Sequence, residues 1–446
     1  MKKILFSSVP FMALLIWSCS KPKESKNVQL ADAIKQSLKN EVIDKWYPLS
    51  VDTVYGGFLS SFTYDFKPAE NQDKMIVTQS RHTWANAKAY LIFEDDQYLR
   101  NARHGFHFLK NKMWDKENGG FYTLVNREGK PKEGDTLKTA YGNAFGIYAL
   151  AAYYKSSKDT AALNLVKKAF GWLENGSHDP QKLGYFQHLN KKGIPAQRPV
   201  NISNHSDIGY KDQNSSIHLL EAFTELYQVW PDPLVKERLQ EMLFLIRDTI
   251  VGPKGNLTLF LLPDWTPISF QDSSRESILT HTNLDHVSFG HDVETAFLML
   301  ETSEILKLEN DTLTERIAKK MVDHALQNGW DDSVGGFYDE GYYFQNQSGI
   351  EIIRDTKNWW AQAEGLNALL LMAEKYPHDS HHYYENFEKQ WQYCNQYLID
   401  HTNGDWYAGG LDKEPEMKTA LKGHIWKANY HQFRSLWLVS ERLRKL

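Results

Sequence analysis

Apolar residues recur at helical spacing along most of this chain. Ile217, Leu220, Phe223 and Leu226 form one stripe, with Tyr227 beside the last, and Val293, Ala296, Phe297 and Leu300 form another. Steps of three and four residues put such a stripe on one face of a helix. Between the striped segments a second pattern returns. It reads Tyr55-Gly56-Gly57-Phe58, Asn118-Gly119-Gly120-Phe121, Leu183-Gly184-Tyr185-Phe186, Gly255-Asn256 before Phe260, Val334-Gly335-Gly336-Phe337 and Asn403-Gly404-Asp405-Trp406. Glycine accepts positive φ and the aromatic packs beneath it, so each unit predicts a tight turn into a short strand. The aromatics are 63, 65, 74, 77 and 69 residues apart, room for two ordinary helices and their connections. The prediction is an all-α protein of six helix pairs with short β-turn insertions. The period by itself leaves open whether the pairs form a solenoid or a ring.

The first residues follow a different pattern. Lys2 and Lys3 precede an apolar run from Ile4 to Trp17, which predicts a secretory signal over 1–18. Its end, Ile16-Trp17-Ser18-Cys19, resembles a bacterial lipobox, with Trp17 a departure from the usual residue there. Cys19 is therefore the expected lipidation site, followed by a polar tether over 19–30 and one domain over 31–446, since no Pro/Ser-rich linker interrupts Leu30 to Leu446. The expected location is outside the cytoplasm, as a periplasmic or outer-membrane-anchored lipoprotein whose only membrane contact is that anchor. Cys394 is then the sole cysteine of the mature chain, which excludes a disulfide framework or a Cys-based metal site.

Composition narrows the function. Of 446 residues 41% are hydrophobic and 13% aromatic, enough to exclude a disordered chain. A net charge of −5 without a Lys/Arg stripe lacks the footprint of nucleic-acid binding. Phosphate loop, dinucleotide fingerprint, Gly-x-Ser-x-Gly elbow and His-Glu-x-x-His are all missing. What remains is a set of histidines at similar places in their repeats: His218 in Asn214-Ser215-Ser216-Ile217-His218, His291 in Gly290-His291-Asp292-Val293-Glu294, and His431 in Asn429-Tyr430-His431-Gln432. Imidazoles suit proton transfer near neutral pH, because the best acid/base pKa lies near the working pH. Two of them on opposite sides of one carbon would remove a proton and return it to the other face.

Gly290-His291-Asp292-Val293-Glu294-Thr295-Ala296, Trp359-Trp360-Ala361-Gln362-Ala363-Glu364, and Trp426-Lys427 with Tyr430-His431 and Arg434 resemble the N-acylglucosamine 2-epimerase superfamily, in look nearest its cellobiose 2-epimerases. Gln79-Ser80-Arg81-His82-Thr83-Trp84, Tyr141–Leu150 and His218-Leu219-Leu220-Glu221-Ala222 extend the likeness over most of the chain. The resemblance implies a closed (α/α)6 barrel around a funnel, a small carbohydrate as substrate, and epimerisation at C2 of the reducing-end sugar without a cofactor or metal. It places the acid/base pair at His291 and His431, a third histidine at His218, an anion-stabilising arginine at Arg81 and a helix-borne carboxylate at Glu294. Sugar-stacking falls to Trp360 and Trp426, with Glu364 and Asn214 as further substrate contacts. Of the neighbours Trp359 and Trp360, about 100° apart on a helix, only one is expected to face the funnel. Ala361, where cellobiose epimerases usually carry Pro, and the lack of their Cys-Pro and Asn-Gly pairs in 426–434 leave the sugar open.

Four alternatives stand beside this reading: an aldose–ketose isomerase sharing the enediolate, an N-acylglucosamine epimerase, a glycoside hydrolase using Asp292 and Asp332 across a glycosidic bond, and a sugar-binding lipoprotein without catalysis. Glu364 is also a candidate ion-pair partner of Arg81.

Overall fold

The computed structural model describes residues 25–134, 136–345 and 347–446. The signal, the lipobox and Cys19 lie outside the described residues. Helix α1 (Lys26–Ser37) begins inside the segment read as tether, and its Ala31 and Ile34 are buried, so the fold starts before residue 31.

Five helix pairs follow in order: α2 (Ile76–Phe93) with α3 (Asp96–Phe108), α4 (Ala140–Ser157) with α5 (Thr160–Gly176), α6 (Gln213–Val229) with α7 (Pro233–Leu245), α8 (Phe289–Leu306) with α9 (Thr312–Gly329), and α10 (Trp359–Lys375) with α11 (Tyr383–Tyr393). The sixth pair joins the two ends of the chain, α12 (Tyr430–Leu443) packing on α1. Helices α2, α4, α6, α8, α10 and α12 touch in sequence, and α12 returns to α2, which closes an (α/α)6 ring. Such a ring buries its inner helices on every side. Ile76 through Ala89 of α2 and Ala140 through Tyr153 of α4 are buried without a break, whereas α3 buries one face through Tyr98, Ala102, Gly105 and Phe106.

The turns join the repeats. In each, a residue before the turn bridges the residue after it: Val51 with Phe58, Trp114 with Phe121, His178 with Tyr185, Val251 with Leu257, Trp330 with Phe337, Ile399 with Trp406. The third and fourth units are thus centred on Tyr185 and Leu257, not on Phe186 and Phe260. Phe260 instead lies in a two-residue strand paired with Lys211–Asp212. Gly57 has φ +67°, and a Cβ on Gly120 would meet the Trp172 ring at 2.7 Å, so both positions demand glycine.

A buried lysine just before an inner helix locks most of these turns. Lys74 reaches Asp52 at 2.9 Å and the Gly56 carbonyl at 2.6 Å. Lys211 reaches Asp179 at 2.9 Å and the Leu183 carbonyl at 2.8 Å, and Lys357 reaches Asp331 at 2.8 Å and the Gly335 carbonyl at 3.0 Å. Lys138 with Asp115 repeats the pairing, as does Lys422 with Asp400, though Lys422 stands farther ahead of its helix, α12. The fourth repeat has Gly252 and Val287 in these places. Cation and anion are absent together, as they must be where an unpaired buried charge is costly.

Candidate active site

Each inner helix opens at the same end of the ring, and the predicted residues sit in their first two turns, except Trp426, which lies in the segment leading into α12. Arg81, Tyr141, Asn214, His218, His291, Glu294, Trp359, Trp360, Trp426 and His431 line one cavity of about 200 Å³. Helix N-termini carry partial positive charge, so this end of the barrel favours a substrate that turns anionic during reaction.

The three imidazoles are held alike. Nδ1 of His218 lies 2.9 Å from Glu221 Oε2, Nδ1 of His431 lies 2.8 Å from Glu364 Oε1, and Nδ1 of His291 lies 2.7 Å from Ser288 Oγ. In each ring this leaves Nε2 for the cavity. The Trp360 indole is in ring contact with two of them, its centroid 4.6 Å from His291 and 5.8 Å from His431. Burial pushes His291 down to about 3, with His218 and His286 adding to the shift. Burial, then Arg81 and Arg434, also drive His431 well below its ordinary value.

Arg81 donates from Nη1 to the Trp426 carbonyl at 2.9 Å and from Nη2 to the Tyr141 hydroxyl at 3.2 Å, and lies over the Phe145 ring at 4.6 Å. No carboxylate pairs with it among the described residues, and its Nε is buried without a partner. Glu364 therefore is not its ion-pair partner; that carboxylate belongs to His431 and Arg434. Its charge remains available to an anion in the cavity.

Beneath the histidines, one guanidinium gathers three carboxylates. Arg434 donates through Nη2 to Glu294 at 2.6 Å and to Glu364 at 2.7 Å, and through Nη1 to Glu221, which the Tyr430 hydroxyl also meets. All four charged side chains are at least 97% buried. Burial works to raise Glu221, but Arg434 and His218 overcome it and hold it near 2. Burial and Glu364 raise Glu294 to about 7, and burial raises Glu364 to about 7 against the pull of Arg434. Glu294, Glu364 and His431 stand close enough to enclose a metal ion, yet the same Oε1 atoms already accept from Arg434.

The two raised carboxyls fix a sign. Between their ordinary 4.5 and about 7 the folded chain holds more protons than the unfolded one, so this contribution to stability is complete below 4.5 and is lost as pH rises through 7. Glu364→Gln removes its share. The Tm of the wild type is expected to fall relative to E364Q from about pH 5 to about pH 8; parallel curves would contradict the assignment.

Trp359 and Trp360 both line the cavity, against the expectation that only one would. They are the first two residues of α10 and face the opening from the helix end, where the angular rule for a helix side does not select between them. Trp426 is at the rim, 48% exposed. Residues without an assigned role in the sequence reading are Tyr141, Ser288, Trp359, Glu221, Tyr430 and Arg434. A signal was present: His218/Glu221, His291/Glu294 and His431/Arg434 all stand three apart, placing a charge one turn below each histidine. The carboxylates considered for a hydrolase do not face a common cleft. Asp292 Oδ1 accepts from the Leu257 amide at 2.9 Å, clamping the fourth turn, and Asp332 is exposed.

The comparisons agree with this geometry. Residues 56–435 match the profile of the family described as N-acylglucosamine 2-epimerase (GlcNAc 2-epimerase). A cellobiose 2-epimerase of Ruminococcus albus is 30% identical over 410 residues, covering 90% of this chain and 96% of the relative. The solved cellobiose 2-epimerase of Spirochaeta thermophila superposes with a TM-score of 0.78 at 26% identity over 94% of this chain and 98% of that one. That of Bacillus thermoamylovorans, at 24% identity over 94% of this chain and 100% of that one, shows the same fold with a TM-score of 0.79. The ring, the cavity lined by the histidines and these matches together place the chain in the N-acylglucosamine 2-epimerase family, as an isomerase that epimerises a small sugar.

Proposed function

We propose that this epimerase inverts C2 of the reducing-end aldose of a disaccharide of the cellobiose or mannobiose type, with His291 and His431 as the acid/base pair. The observation that carries the reading is the pair of imidazoles that line one cavity around Trp360, each anchored through Nδ1. The pyranose must first open to the aldehyde, because only an adjacent carbonyl acidifies the C2 hydrogen. One histidine takes that proton through Nε2. The enediolate formed meets Arg81, whose charge no carboxylate among the described residues neutralises, and the N-terminal ends of the inner helices. Rotation about C1–C2 presents the other face, and the second histidine delivers its proton there.

A cavity of about 200 Å³ suits one sugar ring. A second ring continues outward past Trp426, whose exposed indole offers a flat apolar face to sugar C–H groups. Trp426→Ala is expected to raise KM for a disaccharide about fivefold or more, from the loss of roughly 1 kcal/mol of stacking, and to leave a monosaccharide nearly unaffected. Equal effects on both would place the second ring elsewhere. The export signal read at 1–18 also weighs toward a sugar met outside the cytoplasm. The deciding experiment follows the soluble chain with cellobiose in deuterium oxide by NMR. Deuterium at C2 with a mannose-type reducing end supports the proposal. Deuterium at C1 with a ketose product makes the protein an aldose–ketose isomerase, and turnover confined to N-acetylglucosamine or mannose removes the disaccharide.

A further inference from the structure

Ser288 sits where the chain enters α8, a position at which other inner helices are capped. Thr139 accepts from the Gly142 amide, Asp212 from the Ser215 amide and Asn358 from the Ala361 amide, each closing the first turn of its helix. Serine is among the best residues for that task, yet Ser288 makes no such bond. Its Oγ is turned instead to Nδ1 of His291, 2.7 Å away. The anchors of the other two histidines are carboxylates, Glu221 and Glu364. A carboxylate partner stabilises an imidazolium; a hydroxyl fixes the ring without adding charge.

We infer that Ser288 is a positioning residue that holds His291 as the neutral Nδ1–H tautomer, with the Nε2 lone pair toward the substrate, while the proton needed for the opposite face resides on the His431–Glu364 pair. This inference rests on His291 and His431 being the acid/base pair. In a turnover the C2–H bond breaks and its proton passes to His291 Nε2. His431 Nε2 then gives a proton to the other face of C2, and exchange with water returns both rings to their starting states. Nδ1–H of His291 donates to Ser288 Oγ before and after the transfer. Without that acceptor a neutral imidazole favours the Nε2–H form, which presents a proton where a base is required. Around His291 the charged or titrating groups are His218, His286, His431 and, one turn along α8, Glu294, and none of them bonds its Nδ1.

The test is nitrogen NMR of the full chain labelled at histidine, with the His291 signals assigned by their loss in His291→Asn, together with steady-state kinetics. Ser288→Ala is expected to shift His291 from the Nδ1–H toward the Nε2–H form and to lower kcat about 10- to 100-fold, by analogy with the loss of the partner that orients a metal-bound imidazole, with KM changed less than about twofold. Ser288→Thr retains the hydroxyl and restores both tautomer and rate. An unchanged tautomer in Ser288→Ala overturns the inference, whatever happens to the rate, because a capping or packing role would lower activity without moving the proton. The NMR result stands apart from the acid/base reading, which fails separately if His291→Asn still epimerises.

Discussion

His291→Asn and His431→Asn are each expected to stop epimerisation, with kcat down by about 10² to 10⁴-fold, and yet to leave C2 hydrogen exchange running from opposite epimers. The argument is geometric. The two imidazoles both contact the Trp360 ring and reach the cavity from α8 and α12, helices separated by α10. A single base suffices to form the enediolate and to return a solvent proton to the face it serves. Only inversion needs both. Asparagine keeps a polar group of similar size near Ser288 or Glu364, so loss of the imidazole is read with little change in the cavity. The measurement is loss of the C2 proton signal in deuterium oxide, begun separately from the glucose-type and the mannose-type sugar. Complementary patterns in the two variants assign one face to each histidine. Exchange from the same epimer in both would mean that a third group serves that face, and His218, anchored to Glu221 across the same cavity, would be that group.

How far the sequence disclosed this arrangement depends on whether a feature is local. The Gly-aromatic units are local, and their spacing predicts six helix pairs. Two were misplaced because Phe186 and Phe260 stand close to Tyr185 and Leu257, and a strand pairing, not hydrophobicity, selects the residue under the turn. The site residues were legible through their repeat positions and through the family likeness. Closure of the ring was legible only through that likeness and not from the repeat period, since it depends on α1 meeting α12 across the length of the chain. Arg81 and Glu364 show the same limit. Each is conspicuous as a charge in an apolar helix, but their partners come from other helices: Trp426 and Tyr141 for the first, His431 and Arg434 for the second. The fourth repeat carries its own lesson. Its missing Lys–Asp lock and its uncapped helix both precede His291, so the most irregular repeat is the one whose entry residue was turned toward the site.

Arg434→Met is expected to produce the largest loss of stability, about 3–5 kcal/mol, the cost of leaving buried charge uncompensated. Methionine fills most of the volume, so the effect isolates the charge from a cavity. Glu221, Glu294 and Glu364 would then face one another in a site almost closed to water. The carboxyls respond by taking up protons, which sets the pH dependence. Glu294 and Glu364 already stand near 7 with the guanidinium present, and Glu221 is held near 2 chiefly by it. Removing Arg434 raises all three, so the variant binds extra protons when folded and its deficit grows as pH increases. Chemical denaturation at about pH 5 and about pH 8 should therefore show the smaller deficit at the lower pH. Adding Glu364→Gln to Arg434→Met should recover part of the loss, a coupling that independent sites would not show. A deficit independent of pH, or strict additivity of the two substitutions, would mean that Arg434 stabilises the barrel by packing against Tyr430 and Phe297 and not by neutralising the carboxylates beneath the histidines.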